Sequence, residues 1–567
     1  MILTSLIIVG VVLSGCNPLR RMRDNAGNVR YTVNPPVLEL VGNQVEISVT
    51  GNYPARYFNQ NVILTLTPSL QAGNNERDMD PFRVQGENVR DNHRVISFQN
   101  GGSFTNSWRV PYHPDFQLSE LMLKVTGTDR RNRSLDFDPV KIADGIITTS
   151  LLVEKTGKPV YAPDRFVRII PDSYHADIMY LIQQSDVRVS ETRRPEMSAF
   201  TQSVQAAAAN DRVRFTGTVI SAYASPDGPE DLNDRLSQSR ARTGQDFFTR
   251  NFRTARVEEV MQPELLRVLN TPEDWEGFRT LVQASNIRDR DLILRVLSMH
   301  SDPVVREREI RNMSAAFEEL AVQILPQLRR TRMTVNVERV GRSDQEISAQ
   351  FDSDPTQLSV EEILYAANLT QDNNRKLAIY QAAVRQFPND YRTRNNLGVV
   401  LLHLNRVAEA RTALTEAQRV ADNETVRNNL AVVALREGNY AQAETLLGSA
   451  GSGDHVRYNL GTIKIIQGNF SEAVTHFGNQ VEVNAALARL LTRDNDGALT
   501  TLNSIRRDDP IVFYLRAIVG ARRQDASMAM DNLRTAASRS ADLRANARRD
   551  VEFARYFEDS TFRSIVQ

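Results

Sequence analysis

The chain opens with a nearly unbroken apolar run, residues 2–13, and then changes pattern three times. Over residues 31–152 short apolar stretches alternate with polar positions at 37–41, 45–49, 62–66 and 121–125. Turn clusters separate them, among them Pro35-Pro36, Ala72-Gly73-Asn74-Asn75 and Asn100-Gly101-Gly102. Period-two patterning bounded by such turns predicts an antiparallel β sandwich over residues 31–160. Its aromatic residues Tyr53, Tyr57, Phe58, Trp108 and Tyr112 are read as core and corner positions.

Residues 164–341 mix both periods. The pattern predicts a strand at 177–182, a helix at 195–209 and a strand at 213–222. The turn Asp227-Gly228-Pro229 follows, then a helix carrying Leu232, Leu236, Arg240 and Phe247 at helical spacing. A helical insertion is expected at about 257–328. In it Thr271-Pro272-Glu273-Asp274 reads as an N-cap, and Trp275, Phe278, Leu281 and Val282 as an apolar face. The last strand is expected at 332–340. From Ser359 the chain is helical and repeats itself: Asn396-Leu397-Gly398, Asn429-Leu430-Ala431 and Asn459-Leu460-Gly461 recur at intervals of 33 and 30 residues. Each is followed by a turn and an alanine-rich second helix, marked by Ala408 and Ala410, by Tyr440-Ala441-Gln442-Ala443 and by Phe470-Ser471-Glu472-Ala473. Pro388 closes an earlier repeat, residues 495–498 mark a degenerate one, 513–537 form another, and 544–566 cap the stack.

Composition narrows the function classes. In 567 residues Lys+Arg and Asp+Glu both number 69 and the pI is about 7.1, so no global field draws in a polyanion and no nucleic-acid partner is expected. The length allows three or four domains. A single cysteine excludes internal disulfides and a thiolate metal cage. The sequence contains no His-Glu-x-x-His, Gly-x-Ser-x-Gly, Walker or Gly-x-Gly-x-x-Gly motif, and its seven histidines are scattered. No catalytic residue, cofactor or metal is expected, and the chain is read as a non-enzyme.

The lone cysteine ends Leu13-Ser14-Gly15-Cys16, which resembles the lipobox of bacterial lipoproteins. The apolar run is too short to span a bilayer and fits a signal-peptide core over residues 1–15. The resemblance implies that the mature chain starts at Cys16 and is lipidated there. Only the Met1 amine precedes the run, which leaves open a start further upstream. Residues 16–30 read as a linker, and the basic stretch Arg20-Arg21-Met22-Arg23 differs from the acidic residues that follow the cysteine in surface-exposed lipoproteins of the Bacteroidota. The expected location is the periplasmic face of an outer membrane of that type.

Two further resemblances complete the fold expectation. The segment 164–341 is similar to OmpA-like peptidoglycan-binding domains, with Gly228, Asn233 and Leu236-Ser237-Gln238-Ser239-Arg240-Ala241 in the family's pattern. That likeness implies an Arg240 fork on a diaminopimelate carboxylate. The family's aspartate position falls on Ser225, whose hydroxyl cannot neutralise an ammonium; Asp227 as a substitute, or a fold kept for structure or protein binding, are the alternatives. Residues 355–567 resemble tetratricopeptide (TPR) repeats, which implies a solenoid with a peptide-binding groove. By that geometry Asn396, Asn429 and Asn459 are structural, whereas Asn395 and Asn428, beside Arg394 and Arg427, face the groove. The expected fold is multidomain α+β: an immunoglobulin-like sandwich, an OmpA-like α/β domain and an all-α TPR solenoid. The expected function is a lipid-anchored scaffold or adaptor for outer-membrane or periplasmic proteins. The alternatives are a peptidoglycan tether acting through Arg240 and a surface adhesin or glycan-binding lipoprotein.

Overall fold

Fifteen strands and a helical stack divide between two compact units in the computed structural model, which describes residues 18–567 apart from the side chains of 314 and 315. Residues 1–17, including the expected signal peptide and Cys16, lie outside the described residues. One unit joins the N-terminal strands, up to Pro163, to the helices from Asp372 onward; the other is residues 164–371.

In the first unit the strands are β1 (Arg30–Asn34), β2 (Val37–Val41), β3 (Gln44–Tyr53), β4 (Val62–Ala72), β5 (Asn75–Asp78), β6 (Phe82–Gly86), β7 (Arg94–Ile96), β8 (Gly102–Pro111), β9 (Glu120–Asp129), β10 (Ser134–Asp136) and β11 (Val140–Ile147). They hydrogen-bond in the order β1-β3-β2-β11-β9-β4-β6-β7, with β8 beside β3, β5 beside β4 and β10 beside β9. The two layers are therefore one continuous sheet folded over. β2 makes the join, pairing antiparallel with β3 and parallel with β11. Alternation along β3 and β9 turns Val45, Ile47 and Val49 of one layer toward the core shared with Leu121. The expected linker is not one: Pro18–Asp24 is helical, and Leu19 and Met22 are buried beside Phe58 and Leu64.

The helices run in pairs from Asn373–Gln386: Tyr391–His403 with Val407–Val420, Glu424–Arg436 with Tyr440–Leu447, Asp454–Gln467 with Phe470–Phe477, Val483–Leu491 with Asn495–Ser504, and Pro510–Arg522 with Ala526–Arg539. Asp390, Asn423 and Asp509 cap first helices by accepting backbone N–H bonds. The turn inside each pair needs one left-handed residue, supplied by Asn405, Gly438, Gly468, Arg493 and Gln524 in turn. Close approach explains the small residue of the repeat, because a Cβ on Gly461 would stand 2.7 Å from the Phe477 ring.

Sheet and stack meet inside this unit. Thr149 donates to the Glu552 carboxylate (2.6 Å), Glu39 pairs with Arg493, and Gly42 packs on the backbone of Gln467. Behind Glu552, Asp550 is buried, accepting from the Tyr514 hydroxyl at 2.8 Å and the Glu552 amide at 3.1 Å.

The second unit is a four-stranded sheet in the order β12 (Ile169–Met179), β15 (Arg330–Val340), β13 (Val213–Tyr223), β14 (Leu266–Thr271). β15 is antiparallel to both neighbours and β14 parallel to β13. Helices Pro195–Ala208 and Glu230–Thr254 cover one face through Phe200, Val204, Phe248 and Phe252. Five expectations need correction. β12 lies at 169–179 rather than 177–182, because its exposed first half is held by the ladder to β15 and not by burial. β14 falls inside the expected helical insertion, so the inserted helices begin only at Trp275 and pack on their own core of Phe278, Val282 and Leu320. Thr271 ends that strand; the N-cap is Asp274, which accepts from the Gly277 amide at 2.8 Å. The buried face of Glu230–Thr254 runs through Asn233, Ser237, Arg240, Gly244 and Phe248, leaving Leu232, Leu236 and Phe247 half-buried. The unit also continues past 341, taking in the helices Asp344–Ser353 and Val360–Ala366 that were assigned in part to the solenoid.

Burial, and then the neighbouring Glu552 charge, raise the Asp550 carboxyl from 3.8 to about 7, against the lowering effect of Tyr514, the Glu552 amide and Arg522. The folded chain thus binds a proton that the unfolded chain has lost between those two values, and stability falls as pH rises through that window. Asp550→Asn, which keeps an acceptor and removes the charge, is expected to raise stability at pH 8 by about 1–2 kcal/mol, a Tm rise of a few °C in a unit of this size, and to flatten the decline between about pH 4 and pH 7. Calorimetry of both proteins across that range checks it.

Candidate functional site

The first helix of each of the first four pairs presents an asparagine on one wall of the stack: Asn396, Asn429, Asn459 and Asn484. All four are buried, and together they hold an extended segment of the same chain, residues 153–163, which pairs with no strand among the described residues. Each asparagine makes two bonds to the main chain of one strap residue. Asn484 accepts from the Glu154 amide (2.9 Å) and donates to its carbonyl (2.9 Å). Asn459 does the same with Lys158 (2.7 and 3.2 Å), Asn429 with Val160 (2.8 and 2.8 Å) and Asn396 with Ala162 (2.7 and 2.9 Å).

Asn395 and Asn428 thicken the ladder. Asn395 donates to the Val160 carbonyl (3.3 Å) and to Asn396 Oδ1 (3.0 Å); Asn428 donates to the Lys158 carbonyl (3.1 Å) and to Asn429 Oδ1 (3.1 Å). Asn429 and Asn459 donate back to Asn395 and Asn428, so the amides form a continuous chain. The division expected from repeat geometry changes accordingly. Adjacent helix positions are about 100° apart, and a broad inner wall uses both, with Asn396, Asn429 and Asn459 gripping most directly. Arg394 and Arg427 do not reach the strap: Arg394 pairs with Glu416, and Arg427 with Asp422 and the Ser449 carbonyl.

Side chains add register. Tyr161 stacks between Tyr380 and His403, with ring centroids 5.9 and 5.8 Å away, and the Lys376 ammonium lies 5.4 Å from its ring. Burial, with Arg436 and Lys376 adding to it, holds His403 below its ordinary value, so that ring is neutral at pH 7. Lys158 sits 4.4 Å over the Tyr458 ring and pairs with Glu482, while Glu154 pairs with Arg507 at 2.7 Å. Gly157 has φ +66°, and a Cβ there would press on Val432 and Leu435 at 3.0 and 3.2 Å. Arg436 and Arg392 donate to the carbonyls of Thr156 and Pro163. Val153 and Ala162 are buried at the two ends.

In the second unit Arg240 is buried, and its guanidinium donates to three carbonyls: Gln184 (2.9 Å), Tyr223 (2.9 Å) and Leu181 (3.3 Å). Burial lowers its pKa to about 10, leaving it charged at neutral pH. Ser225 and Asp227 are tied to each other and to Arg329, which donates to both at 3.0 Å. Asn233 donates to the carbonyls of Ser225 and Gly228 and so fixes the loop. The space these residues enclose is about 40 Å³, room for water and not for a peptide stem. Among the described residues no group of three His, Cys, Asp or Glu side chains is placed to hold a metal ion, and no helix is long and apolar enough to cross a membrane.

Two tetratricopeptide-repeat family profiles match residues 373–424 and 425–449. No curated protein matches the chain. Solved structures that resemble part of it include a tetratricopeptide repeat protein from Parabacteroides merdae, 10% identical over 39% of this chain and 89% of that one, TM-score 0.29. Another is PilF of Pseudomonas aeruginosa, 15% identical over 39% and 98%, TM-score 0.26. A third is YrrB, titled a TPR protein with an unusual peptide-binding site, 16% identical over 35% and 95%, TM-score 0.21. Scores this low bear on neither fold nor function. The family profiles place tetratricopeptide repeats at residues 373–449, inside the ladder-bearing stack.

Asn429→Ala removes the acceptor of the Val160 amide and one of the two donors to its carbonyl, Asn395 keeping the other. The expected cost is about 2–4 kcal/mol in urea unfolding. Arg427→Ala, which breaks a surface pair with Asp422, is expected to leave the urea midpoint nearly unchanged.

Proposed function

We propose that the protein is a non-enzymatic adaptor of the bacterial cell envelope, tethered by lipid on Cys16 to the periplasmic face of the outer membrane, with its TPR stack acting as a receptor for extended protein segments. The observation that carries the receptor reading is the asparagine ladder. It reads N–H and C=O groups at Lys158, Val160 and Ala162, and main-chain recognition of this kind accepts an extended segment largely irrespective of its sequence. The tether rests on Leu13-Ser14-Gly15-Cys16 and on the absence of any other cysteine from the sequence. Three-chain acylation of such a terminus anchors firmly, at about 0.8 kcal/mol per buried CH₂.

The sheet order β12-β15-β13-β14 with two helices on one face favours reading the second unit as an OmpA-like fold. In that reading Arg240 has become a structural residue: three of its N–H groups are spent on carbonyls, and the Asp227 carboxylate is spent on Arg329. A wall-binding role is correspondingly disfavoured.

Fractionation of cells expressing the native chain and Cys16→Ser tests the tether: the native protein is expected in the outer-membrane fraction and the variant in the soluble periplasm. Crosslinking and mass spectrometry on detergent-solubilised membranes tests the adaptor role, with crosslinks expected between a second protein and residues 373–540. Recovery of the protein alone and monomeric overturns it. On purified sacculi, native protein and Arg240→Ala are expected to be retained equally poorly.

A further inference from the structure

We propose that residues 153–163 are an in-cis ligand that keeps the groove shut, and that the groove opens to a partner's extended segment of matching chemistry: a cation at the place of Lys158 and an aromatic side chain at the place of Tyr161. The proposal rests on the receptor reading above and adds the gate and the partner's pattern.

The physical case starts from what holds the strap. Its main-chain bonds end on side chains, asparagines for Glu154, Lys158, Val160 and Ala162 and arginines for the Thr156 and Pro163 carbonyls, so an incoming extended segment can replace it bond for bond without any repeat helix refolding. The strap forms no helix or strand of its own, and Pro159 and Pro163 carry no N–H that a competitor would have to match. Just before Pro159, Lys158 meets Glu482 and the Tyr458 ring, and between the two prolines Tyr161 meets Tyr380 and His403. These two side chains, three residues apart, define what a competitor must bring.

The fit at Tyr161 is also imperfect. Its hydroxyl is buried with no hydrogen-bond partner among the described residues, and burial raises its pKa to about 12. A buried unpaired hydroxyl is costly. A segment carrying phenylalanine at that place keeps the stacking and omits the orphaned oxygen, so it fills the groove better than the chain's own strap does. Covalent connection offsets this, since a short tether presents the strap at an effective concentration on the millimolar scale. A weak peptide in solution therefore stays out, and a partner with a better aromatic and further contacts enters.

The probe is a fluorescent synthetic peptide with the sequence of residues 153–163, added to purified full-length native protein and to a strap variant combining Val160→Pro and Tyr161→Ala. The native chain is expected to bind it weakly and the variant at least tenfold more tightly. The same peptide bearing Tyr161→Phe should bind the variant more tightly still, and Asn429→Ala in the variant should abolish binding. Equal binding by native chain and variant overturns the gate while leaving the receptor intact. A variant that melts cooperatively yet binds no peptide overturns the receptor reading as well. Dimerisation of the variant in the absence of peptide assigns the groove to a second copy and overturns the proposed partner. Hydrogen exchange on the native chain applies even where the variant fails to fold: the amides of Lys158, Val160 and Ala162 are expected to exchange well before those of Glu424–Arg436. Loss of strap and helix protection only together overturns the gate.

Discussion

An extended segment with no strand beside it has main-chain N–H and C=O groups that must be satisfied or left wet. In this chain the partners are carboxamides, which carry a donor and an acceptor at the spacing of a peptide group and can therefore stand in for a neighbouring strand. Four helices each supply one such group, and the neighbouring amides bond to one another. The stack thus behaves toward the strap as the edge of a sheet whose rungs are side chains. A polar residue that would be expensive to bury alone is affordable when every donor and acceptor is spent.

The same strap explains how residues nearly 300 positions apart belong to one unit. Thr149 reaches Glu552 at the capped end of the stack, Val153 enters the core there, and the strap then runs back past Asn484, Asn459 and Asn429 to Asn396. Its direction is opposite to the order of the repeats. Each of the four ladder-bearing repeats therefore touches both its neighbour and the strap, which adds a long-range bond to a stack of adjacent repeats.

Much of this fold was legible in the sequence. Alternation located β2 at its observed bounds, and the recurrence of Asn396-Leu397-Gly398 located the repeats, because both signals are local and periodic. What was not legible has a common cause. The strap has no period, and its partners lie 234 to 330 residues away. Recognition of main chain also leaves no side-chain signature in the recognised segment. Asn484 escaped notice because it comes 25 residues after Asn459, outside the repeat interval, and lacks the following Leu-Gly. β14 reads as helical in sequence because its six residues sit among helices and owe their form to β13. Arg240 and its neighbours carried a recognisable pattern, yet whether a guanidinium faces a ligand or three carbonyls is decided by the Leu181 to Gln184 loop, which the motif does not include.

The strap also imposes an order on biosynthesis. Residues 153–163 emerge from the ribosome long before Asn396, and hundreds of codons before Asn484, so the ligand exists before its receptor. During that interval its amides and carbonyls are met by water, and the sheet-forming residues ahead of it can fold while it hangs free. Closure waits for the last ladder helix to be made. In a protein of this design a segment translated early, in the first third of the chain, docks onto repeats translated late.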